Sequence, residues 1–293
     1  MKFGIHSLLF HETFLEKDLP LLDEVKRMGF DAVEIIPFDP DGFPAAKVRH
    51  AAADLGLTVN TGYGMPEEYN IISPDPVVRK RGVDFSMRLI DLSNEAGAVV
   101  FGGMVYSGWG YLTGRMRTDD EWRWGVENFR AIAEYAASTS SLVLGIEPVN
   151  RFESHFINVA RDAVRFIDEV GMENVKVHLD TFHMIREEDS FRAAVLEAGS
   201  KLGYVHACEN QRGIPGTGLV PWGEFFTALR DVGYDGCITI ESFDPEMPSI
   251  AKLCCMWRKF ADSPEQLATQ GLEFLRGVHA EVGQAAQDRT DPN

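Results

Sequence analysis

The segment from 29 to 36, GFDAVEII, places a glycine directly before an apolar run of strand length. A glycine at this place is typical of a helix end, because glycine adopts the left-handed conformation that closes a helix without steric strain. The same arrangement precedes LTVN at Gly56, AVVFGG at Gly97, YVHA at Gly203 and YDGCITI at Gly233. This recurrence indicates a chain in which helices and strands alternate.

Apolar runs rich in Val, Ile and Phe occur along the whole chain, and longer amphipathic stretches separate them. This alternation is typical of βα units that build a parallel sheet. Eight units with no long linker, and with no GxGxxG after the first strand, favour an α/β fold that closes into a (β/α)8 TIM barrel. The strands are predicted at residues 3–7, 32–36, 57–61, 98–103, 142–147, 175–180, 203–207 and 237–241.

This pattern predicts a single catalytic barrel domain over residues 1–282, with its active site at the C-terminal ends of the strands. The longer βα segments 62–75, 104–120 and 243–264 are expected to carry extra structure at that face. Residues 283–293 lack apolar periodicity and are expected to form a mobile tail.

The charge balance limits the classes of partner. The 293 residues include 45 acidic and 28 basic ones, a formal net charge of −17. This charge repels nucleic acid phosphates and anionic lipid, so neither is expected as a partner. No window reaches the ~20 apolar residues of a membrane-spanning helix, so we expect a cytoplasmic protein. The cysteines form no CxxC pair and are expected to be reduced thiols: Cys208, Cys237, Cys254 and Cys255.

Ionisable side chains occupy the ends of the fifth to eighth predicted strands. Glu147 ends LVLGIE, Asp180 ends VKVHLD, His206 lies late in YVHAC, and Glu241 ends CITIE. The mouth of a parallel barrel lies at these ends. One such residue alone is commonly structural, but four at one mouth are unfavourable unless they are paired or bind a metal. We therefore expect these four residues to form a functional site.

The chemistry of this set points to a divalent cation. Three carboxylates and an imidazole repel one another when all are ionised, unless a cation lies between them. An oxygen-rich set with one nitrogen and no thiolate suits octahedral Mn²⁺, Co²⁺ or Mg²⁺ better than structural zinc. Four protein ligands would leave two positions for adjacent oxygens of a substrate such as a hydroxyketone.

Four longer segments are distinctive as motifs: EPVNRFE at 147–153, LDTFHMIREEDSF at 179–191, HACENQRGIPGTGLVPW at 206–222 and YDGCITIESF at 234–243. They closely resemble the ketose 3-epimerases, the D-tagatose, D-psicose (allulose) and L-ribulose 3-epimerases of the xylose isomerase-like superfamily. The resemblance covers essentially the whole chain, including EEYNIISPD and the aromatic loop YSGWGY. It implies a free ketohexose or ketopentose as the small-molecule substrate.

The resemblance also implies roles for single residues. One divalent ion per subunit, Mn²⁺ first and Co²⁺ or Mg²⁺ as alternatives, would be held by the four strand-end residues. Glu147 and Glu241 would face opposite sides of the substrate's C3 and transfer its proton through a cis-enediolate. Substrate binding is implied for Glu153, His183 and Arg212 near O1 to O3, for Trp109 as an apolar wall, and for His6 at the distal end of the sugar.

Two motifs depart from the family pattern, and the loop 62–65 and His6 lie where its members vary. The chain has Glu241-Ser242-Phe243 where members often carry Glu-Pro-Phe, and Cys208-Glu209 where they carry Gly-Glu. Neither change removes an implied ligand, so both bear on substrate preference more than on reaction type.

Other functions and other roles remain open on the sequence alone. An aldose–ketose or hydroxypyruvate isomerase on the same barrel would need the same metal set. The net charge and the lack of further histidines disfavour a multi-zinc endonuclease, and a sugar-binding barrel would exchange no proton. Arg212, His183 and Trp109 also admit structural roles. The apolar-rich segment 248–260 predicts a homodimer or homotetramer.

Overall fold

The computed structural model describes residues 1–290 of the chain and the side chains of residues 1–285. Eight parallel strands form a closed barrel in which each strand pairs with the next and β8 pairs with β1. The strands are β1 (Lys2–His6), β2 (Ala32–Ile35), β3 (Thr58–Gly62), β4 (Ala98–Gly102), β5 (Val143–Ile146), β6 (Val175–Asp180), β7 (Leu202–Ala207) and β8 (Cys237–Ile240).

Helices connect successive strands and cover the outside of the barrel. Two helices follow β6 and two follow β8. In chain order the helices of the described residues are α1 (Leu21–Arg27), α2 (Ala45–Leu55), α3 (Pro76–Glu95), α4 (Asp119–Thr139), α5 (Ala160–Val170), α6 (Thr181–Glu187), α7 (Phe191–Ala198), α8 (Trp222–Asp231), α9 (Pro248–Leu253) and α10 (Pro264–Thr290). None of them is both long enough and apolar enough to cross a membrane.

The predicted TIM barrel is confirmed, and every predicted strand agrees with the observed one to within one residue at either end. Parallel strands covered by helices are buried on both faces, so they appear in the sequence as continuous apolar runs. Two of the long βα segments contain the expected extra structure, a 3-10 turn at Glu67–Tyr69 and helix α9.

The interpretation of Gly203 as a helix end is wrong. Gly29, Gly56 and Gly233 have the positive φ expected of helix ends, but Gly203 lies inside β7. A Cβ at Gly203 would lie 2.4 Å from the Cβ of Lys176 on the neighbouring strand. This glycine therefore permits the close approach of β6 and β7.

The predicted boundary between residues 282 and 283 falls inside helix α10, which continues to Thr290. The segment 283–290 is thus helical in the structure, although it lacks apolar periodicity. Residues 291–293 lie outside the described residues, and the mobility of the tail stays a prediction. All four cysteines are free thiols, as expected, and Cys208 and Cys237 are buried.

Candidate active site

A cavity of about 460 Å³ opens at the carboxyl ends of the strands. Glu147 after β5, His206 on β7 and Glu241 after β8 line it. Asp180 ends β6, where it pairs in register with His206, and its side chain is fully buried. The barrel thus brings together the four ionisable residues expected at the strand ends.

The imidazole of His206 lies close to both glutamates. Its Nδ1 is 3.6 Å from Glu147 Oε1 and 3.7 Å from Glu241 Oε1. Within the described part of the chain, Glu147 Oε1 and His206 Nδ1 are buried without a hydrogen-bond partner. Buried polar atoms in proteins are rarely left unpaired, so this pair of atoms faces a position where a ligand is expected.

A second layer fixes the orientation of His206. Its Nε2 donates to Glu34 Oε2 at 2.6 Å, and the Tyr204 hydroxyl donates to the same oxygen at 2.7 Å. Burial raises the pKa of Glu34, but the neighbouring His206 and Tyr204 outweigh burial and hold that pKa below its ordinary value. The carboxylate of Glu34 therefore directs His206 Nδ1 towards the glutamates.

Asp180 lies close to other negatively charged side chains. Its Oδ1 accepts from the amide of Phe182 at the start of α6, and its Oδ2 lies 3.7 Å from His183 Nε2. Burial and the nearby charge of Glu241 raise the pKa of Asp180 well above its ordinary value, although Arg212 opposes this shift. A bound cation would relieve this repulsion, so the donor set fits a divalent ion.

The described side chains suited to metal binding form three overlapping groups, each with its ligand atoms within 4.8 Å of one another. No single group contains all four predicted ligands. The groups are Glu147 with His178 and His206; Glu147 with Asp180 and His183; and Asp180 with Cys208 and Glu241. The structure therefore supplies buried groups that could bind a metal ion, and each predicted ligand belongs to at least one of them.

Arg212 reaches the centre from the loop after β7. It is buried, and its guanidinium carbon lies 3.7 Å from the ring centroid of Phe182 and 5.1 Å from that of Phe243. Its Nη1 donates to Glu241 Oε2 and lies 3.4 Å from Asp180 Oδ2. A solvated surface role for Arg212, open on the sequence alone, does not agree with this placement.

His183, Glu153 and Trp109 lie together on one side of the cavity and are linked through Asn150. The backbone amide of Asn150 donates to His183 Nδ1 at 3.1 Å. His183 Nε2 is therefore the ring atom that can carry a hydrogen. Glu153 accepts from Asn150 Nδ2 at 2.8 Å and from Trp109 Nε1 at 2.9 Å. The tryptophan expected to form an apolar wall therefore also positions Glu153.

His6 lines the cavity from β1. Its Nδ1 accepts from the backbone amide of Leu8 at 3.1 Å, and burial is the main reason that its pKa is lowered. The uncharged ring then carries its hydrogen on Nε2. The remaining cavity wall is mostly apolar and includes Phe38, Tyr63, Met104 and Leu253.

Sequence reasoning missed several residues of this region. Glu34 was visible as a lone carboxylate in the apolar run AVEI, and His178 as an imidazole in VKVHLD. Glu34 reaches His206 because the closed barrel brings β2 and β7 together, and His178 lies beside His206 because β6 pairs with β7. Phe243 is a buried core residue that also lines the cavity against Arg212.

The chain matches the xylose isomerase-like TIM barrel family model over residues 22–278. It is 35% identical to the D-psicose 3-epimerase of Agrobacterium fabrum, with 95% of this chain and 99% of that one covered. A solved L-ribulose 3-epimerase superposes with a TM-score of 0.95 at 31% identity, covering 100% and 99% of the two chains. The D-psicose 3-epimerase of Clostridium cellulolyticum H10, solved with D-tagatose, gives 0.89 at 32% identity and covers 95% and 99%. The chain therefore belongs to the xylose isomerase-like TIM barrel family and, within it, to the ketose 3-epimerases, which are isomerases acting on sugars.

Proposed function

We propose that the protein interconverts the C3 epimers of free ketohexoses and ketopentoses, such as D-fructose and D-psicose, D-tagatose and D-sorbose, or L-ribulose and L-xylulose. The observation that carries this proposal is the entry of two carboxylates, Glu147 and Glu241, into one cavity from β5 and β8. Inversion at carbon needs a base on one face and an acid on the other, and two carboxylates in one cavity, 3.6 and 3.7 Å from His206 Nδ1, can supply both groups. The names of the relatives support the same reaction.

The residues that would hold a divalent ion are Glu147, Asp180, His206 and Glu241, with Mn²⁺ preferred and Co²⁺ or Mg²⁺ as alternatives. Carboxylate oxygens with one imidazole nitrogen suit these ions. The unpaired Glu147 Oε1 and His206 Nδ1 and the raised pKa of Asp180 support this choice. When bound, such an ion supplies Lewis-acid stabilisation of negative charge on neighbouring substrate oxygens.

Proton transfer at C3 is assigned to the two glutamates. One carboxylate removes the C3 proton next to the carbonyl, which gives a cis-enediolate of C2 and C3. The other carboxyl group then returns a proton to the opposite face, and the configuration of C3 is inverted. In the reverse direction Glu147 and Glu241 exchange roles. General acid and base catalysis of this kind contributes ~10² to 10⁴-fold for each group.

The neighbouring polar side chains would bind the ketose so that C3 lies between the glutamates. Arg212 and His183 present N–H groups and Glu153 presents a carboxylate, which together suit the hydroxyl and carbonyl oxygens O1 to O3. Trp109 supplies an apolar wall next to Glu153, and His6 would contact the distal end of the sugar.

We further propose a cytoplasmic location and a homodimeric or homotetrameric assembly. Free thiols are the form that cysteine keeps in a reducing compartment, which supports the location. Exposed apolar side chains such as Trp257 support the assembly.

The reaction is tested by turnover in D₂O. Mn²⁺-loaded protein is incubated with D-fructose, D-tagatose and L-ribulose, the products are separated by chromatography, and deuterium is located by NMR. We expect C3 epimers with deuterium at C3, because a carboxyl group exchanges its proton with solvent between the two steps.

Deuterium at C1 or C2 would identify an aldose–ketose isomerase instead. Binding of a ketose without any exchange would identify a sugar-binding protein. Epimerisation without deuterium at C3 would contradict the two-base mechanism.

A further inference from the structure

Arg212 is held in place by two side chains that have no role in the mechanism above, Cys208 and Ser242. The thiol Sγ of Cys208 accepts from Arg212 Nη1 at 3.1 Å. The hydroxyl of Ser242 donates to the backbone carbonyl of Arg212. Both residues are buried, with 1% and 0% of their surface exposed, so water does not compete for these contacts.

The backbone of Arg212 needs outside support. Its φ of 64° lies in the left-handed region, which a residue with a Cβ rarely adopts. Its amide donates to the carbonyl of Glu209 at 2.8 Å, which closes the turn on one side. The Ser242 hydroxyl fixes the carbonyl on the other side. Because Ser242 directly follows Glu241, this contact joins the arginine loop to the end of β8 beside a proposed catalytic glutamate.

The side chain of Arg212 is fixed by a different set of contacts. The rings of Phe182 and Phe243 lie against the guanidinium and restrict its tilt. Rotation of the guanidinium within its own plane must be restrained by other contacts. Nη1 carries two hydrogens and has three acceptors nearby: Cys208 Sγ, Asp180 Oδ2 and Glu241 Oε2. The thiol is a weak acceptor. It therefore orients Nη1 without competing strongly with the two carboxylates.

We propose that Cys208 and Ser242 are positioning residues that set the orientation of Arg212 and thereby control how tightly, and which, ketoses bind. The identity of the ligand rests on the proposed function, whereas the restraint on Arg212 is a property of the free protein. Cys208 and Ser242 are also positions at which two of the motifs depart from the ketose 3-epimerase pattern. A glycine at 208 would lack the thiol, and a proline at 242 would lack the hydroxyl, so each would lose its contact with Arg212.

Steady-state kinetics with paired variants test this proposal. Cys208→Ala and Ser242→Ala remove the two contacts, whereas Cys208→Ser and Ser242→Thr keep an acceptor and a hydroxyl. We expect each alanine variant to raise KM about threefold to tenfold, the effect of one lost hydrogen bond, with kcat changed less than about twofold. The conservative variants should restore KM. Cys237→Ala and Ser86→Ala, which remove a buried thiol and a buried hydroxyl remote from Arg212, are matched controls.

The effects must also depend on Arg212. In an Arg212→Ala background, Cys208→Ala and Ser242→Ala should have no further effect on KM, since the side chain that they position is absent. Effects that multiply independently in that background would overturn the proposal. So would alanine variants that lower the melting temperature and leave KM unchanged, because such residues would be structural only.

A measurement without substrate separates this inference from the proposed function. The ¹⁵N NMR signals of the Arg212 guanidinium, assigned by their loss in Arg212→Lys, report rotation about the Cζ–N bonds. We expect slow rotation in the wild-type protein and faster rotation in Cys208→Ala and Ser242→Ala. Equal rotation rates in all three proteins would overturn the proposal even if the wild type epimerises ketoses. A wild type that does not epimerise ketoses but shows the expected rates would contradict the proposed function alone.

Discussion

His206 can present only one nitrogen to the cavity, and Glu34 decides which one. Because the Glu34 carboxylate accepts from Nε2 at 2.6 Å, Nδ1 is free to bind a metal ion. Glu34→Gln keeps the size of the side chain and removes its charge. We expect the affinity for Mn²⁺ to fall ~10 to 100-fold, as is typical when a partner of a metal-bound histidine is lost. Calorimetric titration of the metal-free protein measures this change.

Glu121→Gln provides the matched control for that experiment. Glu121 is also a buried carboxylate, but it contacts Arg115 and Thr118 outside the cavity. Its replacement should leave the Mn²⁺ affinity unchanged. If Glu34→Gln binds Mn²⁺ as tightly as the wild type, Glu34 does not orient His206 for metal binding.

The two proposed proton-transfer residues should behave as one unit. Glu147→Gln and Glu241→Gln are each expected to nearly abolish epimerisation, because removal of either group interrupts the same path. The double variant should therefore be scarcely slower than either single variant. Each amide can remain a weak metal ligand, so calorimetry should still detect some Mn²⁺ binding.

Exchange of the C3 proton with D₂O gives a second readout of these variants. One variant is expected to exchange the proton of a single epimer, which assigns the surviving glutamate to one face of C3. Substantial epimerisation by either variant, or strictly multiplicative losses, would contradict the two-base assignment.

The sequence predicts strand-end residues well and their partners poorly. Active-site residues of a TIM barrel lie at the carboxyl ends of its strands. This rule identifies the four residues that end or nearly end an apolar run: Glu147, Asp180, His206 and Glu241. Glu34 contacts His206 and Tyr204 only because β2 and β7 face each other across the closed barrel, and Glu34 is 172 residues from His206 in sequence. Such a separation has no periodic signal, so only the folded structure identifies these positioning contacts.

Among the elements, helix α4 begins with a network that also fixes the loop carrying Trp109. The Thr118 hydroxyl accepts from the Glu121 amide, and the Glu121 carboxylate accepts from the Thr118 amide. The same carboxylate forms an ion pair with Arg115, and His155 Nε2 lies 3.4 Å from it. This capping box links the 104–120 loop to the start of the helix.

The pH dependence of stability tests this network. Burial raises the pKa of Glu121, but Arg115, Thr118 and His155 outweigh burial and lower it from the ordinary 4.5 to about 2. A lowered pKa means that the ionised carboxylate stabilises the fold above pH 4.5, and that this contribution is lost as the pH falls towards 2. We expect Glu121→Gln to be less stable than the wild type at pH 7 and to approach it in acid.

Urea unfolding of both proteins between pH 2 and pH 7 measures this convergence. Glu95→Gln, an exposed carboxylate at the end of α3, is the control and should give a small difference at every pH. A stability difference between wild type and Glu121→Gln that is constant with pH would show that the charge of Glu121 is not responsible.

Element boundaries were predictable where burial is continuous. Each strand is largely buried, so its run is largely apolar, and all eight strands were predicted to within one residue at either end. Helix α10 is different because only part of it packs on the barrel. Leu267, Leu272 and Leu275 are buried, whereas the residues around 283 are exposed. Periodicity therefore ends before the helix does.

At the scale of the whole molecule, large apolar side chains are exposed around the mouth of the barrel. They lie in the segments that follow the carboxyl ends of β4, β5, β7 or β8. They are Leu112, Met116, Phe152, Leu219, Leu253 and Trp257. Scattered apolar residues are normal on a protein surface, but a concentration on one face is typical of an interface.

The segment 248–260 divides between two roles. Ile250 and Met256 pack on their own barrel, with 2% and 5% of their surface exposed, whereas Trp257 is 75% exposed. Leu253 and Cys254 of the same segment line the cavity. A partner subunit that covers Trp257 would therefore also lie beside the mouth of the proposed active site.

We expect a homodimer or homotetramer in which Trp257 is buried between subunits, because burial of a large aromatic side chain is a common energetic centre of an interface. Light scattering at micromolar concentration should give a mass of at least twice the 32.7 kDa of one chain. Trp257→Asp should shift this mass towards that of the monomer, since an unpaired charge would be buried. Val77→Asp, at an exposed apolar residue of α3, should not shift it. A wild-type protein of only 32.7 kDa would contradict the predicted assembly, and a Trp257→Asp variant that keeps the wild-type mass would place the interface on another face.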